Sequence, residues 1–295
     1  MDFKKSLKAF KFVDINKDLY EYAATFGANL KEKNLSEIEI YLSQSFDFCA
    51  AFFGALGVGV KPILLAKPIY SGDKFVINDE NFGDFLDFSK SMELKFDQNS
   101  TFFLQTSGSS GASKNIQKSL GAMIDEGLFL KDELGFGEGD KFFASVSHQH
   151  MFGLTFKVFL PLISGAKVVS KELNYPEAIF ELDLTNLSFV TSPVLLQTLV
   201  SSPRAAEISG LKNIICAGSA LKSELRAKIE SLSSARIIEI YGSTETGIVA
   251  RNLGDELLLF SKVKAGLSED EALNVSSPWC EFFQTSDWAQ IDGSR

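Results

Sequence analysis

The chain is arranged around one nine-residue stretch, Thr106-Ser107-Gly108-Ser109-Ser110-Gly111-Ala112-Ser113-Lys114. A short apolar run rich in aromatic residues precedes it at 101–105, as expected for a buried strand. After it, apolar residues recur at steps of four and three from Ile116 to Leu134, which predicts one face of a helix. The stretch is therefore predicted to lie on a strand-to-helix turn.

Several properties of this stretch favour the binding of a phosphate group. Its small residues let the backbone approach an anion closely, and a helix start contributes roughly half a positive charge. Its hydroxyls can donate to phosphate oxygens, and a lysine ~4 Å from a phosphate contributes about 4 kcal/mol at an effective dielectric constant of about 20. The predicted phosphate-binding residues are Thr106, Ser107, Gly108, Ser109, Ser110, Gly111 and Lys114.

Two familiar phosphate-binding patterns do not fit the spacing. Counting from Gly108 places Ser113 where the Walker pattern needs its second glycine, and no G-x-G-x-x-G pattern occurs here. A flexible glycine- and serine-rich connector remains the alternative, because such composition often marks linkers. A connector rarely has a buried strand on one side and a helix on the other, which favours the phosphate loop.

The composition narrows the class of protein. The 295 residues include 29 Lys and Arg against 38 Asp and Glu, and the net charge of -9 gives no general attraction to nucleic acid or anionic membranes. Three cysteines lie far apart without metal-ligand spacing, which indicates a reduced chain. No export signal is recognisable, and the longest apolar run, 48–60, is too short to span a bilayer. We therefore expect a cytoplasmic protein with neither nucleic acid nor membrane as a partner.

The order of elements predicts the fold class. Strand-like and helix-like segments alternate from residue 38 to residue 240, which is typical of an α/β fold with mostly parallel sheets flanked by helices. The polar clusters follow strands, so they are expected at the carboxyl ends of the sheet, where ligands bind. From Asn252 the sequence changes to short, antiparallel-looking pieces, and 252–295 is predicted to be a small β-rich region.

A second polar cluster, Tyr241-Gly242-Ser243-Thr244-Glu245, follows a predicted strand. A tyrosine at a strand end can stack on a base, and a glycine permits a tight turn. Thr244 can donate to a phosphate, and Glu245 supplies the hard oxygen ligand that magnesium prefers. Together with the phosphate loop, this cluster favours a nucleoside triphosphate and its metal. The alternative is a helix start with Thr244 and Glu245 as ordinary capping residues.

The two histidines of the chain, His148 and His150, lie close together after another predicted strand. A histidine is more often structural than catalytic. A hydrolase is disfavoured because no G-x-S-x-G elbow occurs. A zinc site is disfavoured because this spacing offers too few nitrogen and sulfur ligands.

These clusters resemble the motifs of the adenylate-forming enzymes, which comprise acyl- and aryl-CoA synthetases, luciferases and the adenylation domains of peptide synthetases. Thr106–Lys114 is similar to the family's phosphate loop, usually T-S-G-S/T-T-G-x-P-K. Ser113 replaces the usual proline, and Asn115 replaces the following glycine. Tyr241–Glu245 matches the family's Y-G-x-T-E motif in full.

Three further segments extend the resemblance over nearly the whole chain. The segment 150–153 resembles the one that gates the carboxylate pocket, and 217–220 resembles the turn along the adenine. Phe283–Asp287 resembles the T-G-D motif, whose aspartate holds the ribose hydroxyls, with Ser286 in place of glycine. The resemblance implies that 1–295 is the family's large N-terminal adenylation domain.

The family reaction implies the roles of the residues. A carboxylate attacks the α-phosphate of ATP, pyrophosphate leaves, and the acyl group then passes to the thiol of CoA or of carrier-protein phosphopantetheine. By this resemblance Lys114 holds the β- and γ-phosphates, Thr244 contacts the α-phosphate, and Glu245 holds Mg²⁺. His150 orients the carboxylate. The remaining nucleotide-binding residues that the resemblance implies are Gly218, Ser219, Ala220, Tyr241, Gly242, Ser243 and Asp287.

Two departures from the family bear on substrate and partners. Domains that activate α-amino acids carry an aspartate where this chain has Met151, which favours an acyl or aryl acid over an amino acid. The family's smaller C-terminal lid domain, with its adenylation lysine, has no counterpart in 1–295. We therefore expect slow adenylation by this chain alone, with a separate lid domain and an acyl carrier protein as candidate partners.

Two other functions compete with an acid-thiol ligase. One is a lidless, catalytically weak module that binds ATP or an adenylate for sensing or scaffolding. The other is an unrelated kinase or ATPase, which would release ADP rather than pyrophosphate. The intact Lys114, Thr244 and Glu245 favour the ligase.

Overall fold

The computed structural model describes residues 2–106, 113–254 and 256–291, which fall in two units, Met1–Glu172 and Leu173–Arg295. Each unit has its own strands, helices and apolar core. Within the residues described, every helix is too short or too polar to cross a membrane.

Strands and helices alternate along the first unit. Its strands are β1 (Lys11–Phe12), β2 (Glu37–Tyr41), β3 (Lys61–Leu64), β4 (Phe75–Asn78), β5 (Thr101–Thr106), β6 (Lys114–Ser119), β7 (Lys141–Ala144) and β8 (Lys167–Glu172). Its α-helices are α1 (Phe3–Ala9), α2 (Leu19–Lys31), α3 (Ser45–Gly57), α4 (Leu120–Leu134), α5 (Met151–Gly153) and α6 (Leu160–Ser164). A 3₁₀ turn covers Phe82–Phe85, and a π-helix covers Leu154–Phe159.

The strands of the first unit pair mostly in parallel. Five of them form a sheet in the order β4-β2-β3-β5-β6, in which only β6 runs antiparallel to its neighbour. Strand β8 pairs in parallel with both β1 and β7. This is the arrangement expected when helices connect successive strands across a sheet.

Phenylalanine side chains supply much of the core of this unit. Helix α3 is buried along nearly its whole length, because its sequence is apolar on all sides rather than on one face. The ring of Phe52 lies 5.0 Å from that of Phe102 on β5, and the ring of Phe53 lies 5.9 Å from that of Phe159, both edge to face. These contacts pack α3 against the sheet and against the π-helix.

The second unit has a mixed sheet and a small antiparallel sheet. Its strands are β9 (Leu187–Thr191), β10 (Asn213–Cys216), β11 (Arg236–Ser243), β12 (Gly247–Asn252), β13 (Leu257–Leu259), β14 (Lys264–Leu267), β15 (Ala272–Ser277) and β16 (Cys280–Trp288). Its α-helices are α7 (Pro176–Ile179), α8 (Pro193–Val200) and α9 (Ser223–Leu232), and a 3₁₀ turn covers Ala205–Gly210. Strands β9, β10 and β11 are parallel, β12 and β13 continue antiparallel, and β14-β15-β16 form the small sheet.

The predicted fold class is confirmed. Mostly parallel strands flanked by helices make up the larger part of the chain, and a small antiparallel sheet lies near its C-terminal end. Strand β14 is an addition that the sequence did not predict. Its residues, Lys-Ala-Gly-Leu, lack the β-branched and aromatic side chains by which strands are recognised.

The predicted strand-to-helix turn at the phosphate loop is wrong. Residues 114–119 form strand β6, which pairs antiparallel with β5 so that Thr106 lies opposite Lys114. Helix α4 begins only at Leu120, where the Ser119 hydroxyl caps it by accepting from the Ala122 amide at 3.1 Å. Thr106 and Lys114 thus lie on paired antiparallel strands, and the helix begins six positions after Lys114, too far for its partial charge to act on that residue.

Candidate active site

A cavity of about 520 Å³ lies in the second unit, where the chain leaves β10 and β11. Six sequence-predicted residues line it, namely Gly218, Ser219, Ala220, Tyr241, Gly242 and Asp287. The other lining residues are Glu239, Ile240, Asn252, Gly254, Glu256 and Leu257. Residues from four separated parts of the sequence thus meet in one place, at the carboxyl ends of parallel strands where α/β proteins bind ligands.

Tyr241 and Asp287 face each other inside this cavity. The Tyr241 hydroxyl donates to Oδ2 of Asp287 at 2.5 Å, and the Asp287 amide donates to the Thr285 hydroxyl at 3.1 Å. Burial raises the pKa of Tyr241, and the bond to Asp287 raises it further. The phenol therefore stays protonated and acts as a donor to the carboxylate.

Glu239 is a functional candidate that the sequence analysis missed. It is buried on β11, where its carboxylate accepts from the Leu221 amide at 2.9 Å and from the Asn252 side chain at 3.1 Å. It also pairs with the guanidinium of Arg226 on α9. A charged residue inside the apolar strand Arg236–Ser243 was the signal that could have indicated it.

These contacts fix the turn that follows β10. Glu239 holds Leu221 at one end of the turn, and β10 itself pairs in parallel with β11 at the other. Gly218 adopts a φ of +95°, a conformation that residues with a side chain rarely adopt. The backbone of 217–220 is therefore preset along one wall of the cavity.

The segment after Tyr241 is a hairpin turn and not a helix start, so the capping alternative is wrong. Ser243 and Thr246 close it: the Ser243 amide donates to the Thr246 hydroxyl at 3.0 Å, and the Thr246 amide donates to the Ser243 hydroxyl at 3.2 Å. Thr244 and Glu245 lie half-buried in the turn between β11 and β12.

Gly242 is required for a reason other than the tight turn predicted from sequence. A Cβ atom placed on it would lie 2.2 Å from the Gly247 carbonyl oxygen across the hairpin. Its φ is not positive, so close approach of the backbone, and not a special conformation, demands glycine here.

The first unit carries the ends of the predicted phosphate loop. Thr106 and Ser113 line a cavity of about 390 Å³ together with residues that follow β3, among them Lys67 and Tyr70. The side chain of Lys114 is exposed. Ser107, Gly108, Ser109, Ser110 and Gly111 lie outside the described residues.

The two histidines have different surroundings in the same unit. His148 is buried, with its two ring nitrogens 3.0 Å from the Ser45 hydroxyl and 2.8 Å from the Leu42 carbonyl oxygen. His150 is exposed and immediately precedes α5. Sequence motifs predicted His150, Lys114, Thr244 and Glu245 as catalytic residues, and of the two histidines His150 is the one with an exposed side chain.

A magnesium ion fits the acidic residues only if phosphate oxygens complete its coordination. Within residues 2–106, 113–254 and 256–291, His, Cys, Asp and Glu side chains form no group of three that could hold a metal. Mg²⁺ commonly uses one or two carboxylates together with substrate phosphates, so the predicted role of Glu245 as its ligand stays a prediction.

This chain is similar in sequence to known proteins. The model of the family described as AMP-binding enzyme matches residues 65–268. Enterobactin synthase component F from Escherichia coli is 26% identical over 171 residues, which is 54% of this chain and 13% of that protein. The chain spans at most 13% of the curated relatives it matches.

Solved structures share the fold over almost the whole chain. A benzoate CoA ligase from Burkholderia xenovorans LB400 matches with a TM-score of 0.82 and 18% identity, covering 95% of this chain and 72% of the ligase. ATP-bound MatB from Rhodopseudomonas palustris matches with a TM-score of 0.79 and 16% identity, covering 95% and 71%. At such identities the likeness concerns the fold alone.

Proposed function

Because the chain belongs to the AMP-binding enzyme family, we propose that it activates a carboxylic acid with ATP as an acyl adenylate, with release of pyrophosphate. The acyl group then passes to a thiol, either of CoA or of phosphopantetheine on a carrier protein. A benzoate CoA ligase and an ATP-bound relative among the structures of the same fold support this proposal.

One observation carries the proposal. The cavity of about 520 Å³ in the second unit is lined by a preset backbone turn, an aromatic side chain and a carboxylate. These three features suit an adenosine group: Tyr241 and the turn at 217–220 would form a slot for the base, and Asp287 would accept from the ribose hydroxyls. A kinase or ATPase would bind the same adenosine group, so the product released, ADP or pyrophosphate, separates that alternative from the ligase.

The phosphate end of the nucleotide is assigned to two hairpins. Thr106–Lys114 would hold the β- and γ-phosphates, with the exposed ammonium of Lys114 as the cation. Thr244 would donate to the α-phosphate, and Glu245 would hold Mg²⁺, which neutralises charge on the phosphates. The chemistry needs positioning and charge neutralisation more than a strong base, and these residues supply both.

The acid is assigned to the segment that begins at His150. An exposed imidazole can donate to the carboxylate of the substrate and orient it toward the α-phosphate. Met151 offers no charge for an α-ammonium group, so we propose an acyl or aryl acid rather than an amino acid. A small lid domain and an acyl carrier protein are the proposed partners, and the cytoplasm is the proposed location.

The deciding experiment is carboxylate-dependent exchange of labelled pyrophosphate into ATP. A panel of acyl, aryl and amino acids would be tested with this chain, with and without a separately added C-terminal domain of a related ligase. We expect exchange with an acyl or aryl acid, and its loss in Lys114→Ala and Glu245→Ala. Exchange with amino acids alone would overturn the proposed substrate class.

The same experiment separates the ligase from the lidless binding module. The module would bind ATP, measured by calorimetry, yet show no exchange with any acid even when the small domain is added. Release of ADP instead of pyrophosphate would indicate a kinase or ATPase.

A further inference from the structure

Leu42, the residue after β2, is held by two consecutive side chains from a distant part of the chain. The Nε2 atom of His148 lies 2.8 Å from the Leu42 carbonyl oxygen. The Leu42 amide donates to Oε1 of Gln149 at 3.1 Å. Both polar backbone groups of Leu42 are thus satisfied by neighbouring side chains, in the way that a paired strand would satisfy them. We call His148 and Gln149 together the Leu42 clamp.

The hydrogen bonds determine the tautomer of His148. Because a carbonyl oxygen can only accept, Nε2 carries the proton, and Nδ1 accepts from the Ser45 hydroxyl at 3.0 Å. Burial lowers the pKa of His148 well below its ordinary value, and the cation of Lys157 lowers it further. The imidazole is therefore neutral and fully bonded, which suits a structural role and leaves no nitrogen for a substrate.

The residues that follow the clamp form a tight turn. The His150 amide donates to the Ser147 carbonyl at 3.2 Å, and the Leu154 amide donates to the His150 carbonyl at 2.7 Å. A Cβ atom on Gly153 would lie 2.0 Å from the Ser147 carbonyl oxygen, so only glycine permits this turn. With His148 and Gln149 buried, the turn presents His150 to solvent at a fixed place.

From this geometry we infer that His148 and Gln149 are positioning residues that set where His150 meets the carboxylate of the acid. The inference rests on the proposed role of His150. Within the described residues, the His150 side chain makes no hydrogen bond. The two residues before it are anchored to the end of β2. Loss of the anchor shifts His150, and misplacement by about 1 Å can cost roughly 100-fold in rate.

Pyrophosphate exchange tests the inference through the concentrations of acid and ATP that give half-maximal rate. His148→Phe keeps a ring beside Phe48, 4.4 Å away in the native protein, but removes both hydrogen bonds. We expect it to raise the half-saturating acid concentration about tenfold or more, with that for ATP changed less than twofold. His148→Gln, which can still donate to Leu42, should retain most of the acid affinity.

A matched control is available in the same unit. The Thr155 hydroxyl donates to Glu126 at 3.0 Å, and both residues are buried, so Thr155→Val also removes one buried hydrogen bond. Thr155→Val should leave the half-saturating concentrations of acid and ATP unchanged. If His148→Phe fails to fold, the milder Ser45→Ala and Gln149→Leu take its place. The inference would be overturned if the half-saturating concentrations of acid and ATP rose by the same factor. It would also be overturned if that of the acid rose less than threefold.

A second readout does not depend on activity. The chain has two histidines, so His148→Phe leaves His150 as the sole imidazole in an NMR titration. Although the His150 side chain reaches solvent, nearby protein partly desolvates its ring and so lowers its pKa from the ordinary 6.5. We expect this pKa to move toward 6.5 in the variant because the turn is no longer held. An unchanged His150 pKa would contradict the clamp, and absence of exchange in the native chain even with the small domain added would contradict the proposed function alone.

Discussion

The Tyr241 hydroxyl donates a 2.5 Å hydrogen bond to the Asp287 carboxylate, and so joins β11 of the mixed sheet to β16 of the small sheet. The acceptor proposed for the ribose therefore already has a partner before any nucleotide is bound. A charge-assisted hydrogen bond of this kind is short and holds its geometry. The carboxylate is oriented by the residue proposed to stack on the base.

Asp287→Ala should weaken ATP binding. The variant removes a charged acceptor, and hydrogen bonds to charged groups contribute roughly 1.5–3 kcal/mol, so we expect about a 10- to 100-fold loss of affinity by calorimetry. The loss should disappear for 2′,3′-dideoxy-ATP, which has no ribose hydroxyls to bind. An equal loss for both nucleotides would show that Asp287 does not contact the ribose.

Glu239→Gln should destabilise the second unit. The variant keeps the shape of the side chain but leaves Arg226 without its buried counter-charge, which we expect to cost about 1–3 kcal/mol in urea unfolding. Glu230 supplies the control, because it lies 3.7 Å from the same guanidinium and is 57% exposed. Glu230→Gln should change the free energy of unfolding by less than about 0.5 kcal/mol. Equal effects of the two substitutions would contradict the assigned role of Glu239.

Gly242→Ala should disturb the β11–β12 hairpin. A Cβ atom 2.2 Å from the Gly247 carbonyl oxygen forces the strands apart, so we expect a lower melting temperature and impaired pyrophosphate exchange. Gly266→Ala is the control in the same unit, because no heavy atom of the described residues, apart from its own chain neighbours, lies within 4 Å of the position that its Cβ would take, and its φ is not positive. If both variants have the melting temperature of the native chain, the hairpin accommodates a Cβ atom at position 242 and the prediction is wrong.

The lowered pKa of Lys157 should make the free energy of unfolding rise with pH above neutrality. Burial in the π-helix lowers the pKa of this lysine from 10.5 to about 8. Between these two pH values the unfolded chain holds a proton that the folded chain does not, so stability from this group rises as the pH rises. At neutral pH the buried charge costs up to about 3 kcal/mol, since one pKa unit corresponds to about 1.4 kcal/mol.

Lys157→Met removes that cost. We expect the variant to be more stable than the native chain at pH 7, and the difference in urea unfolding to shrink as the pH approaches 10.5. Lys167→Met, at an exposed position on β8, should show no such convergence. A difference that stays constant across this range would mean that Lys157 titrates normally.

Local sequence patterns predicted the bounds of those strands and helices that depend mainly on their own residues. β9 and β10 have the predicted bounds, Leu187–Thr191 and Asn213–Cys216, because each is a short, fully buried segment rich in apolar residues. Helix α8 begins after Ser192, as predicted, since a capping serine followed by proline is a specific helix start.

Local sequence patterns failed for segments and contacts that depend on residues far along the chain. Residues 114–119 became a strand because β5 pairs with them, although Ile116 continues the apolar spacing of the following helix by coincidence. The contacts of His148 with Leu42 and of Glu239 with Leu221 join residues that no spacing rule connects. Of the candidate site, sequence motifs thus indicated six residues that line the cavity of the second unit, and they missed Glu239, whose carboxylate holds the turn beside it.

The Leu42 clamp has a consequence for exchanging parts between related ligases. A segment such as 147–153, grafted into another scaffold to change which acid is accepted, would arrive without the backbone groups that His148 and Gln149 bind. The transplanted unit would have to include 42–45, which lies about a hundred positions earlier in the chain. If His150 meets the acid as proposed, substrate choice in such chimeras would be inherited from two noncontiguous pieces together.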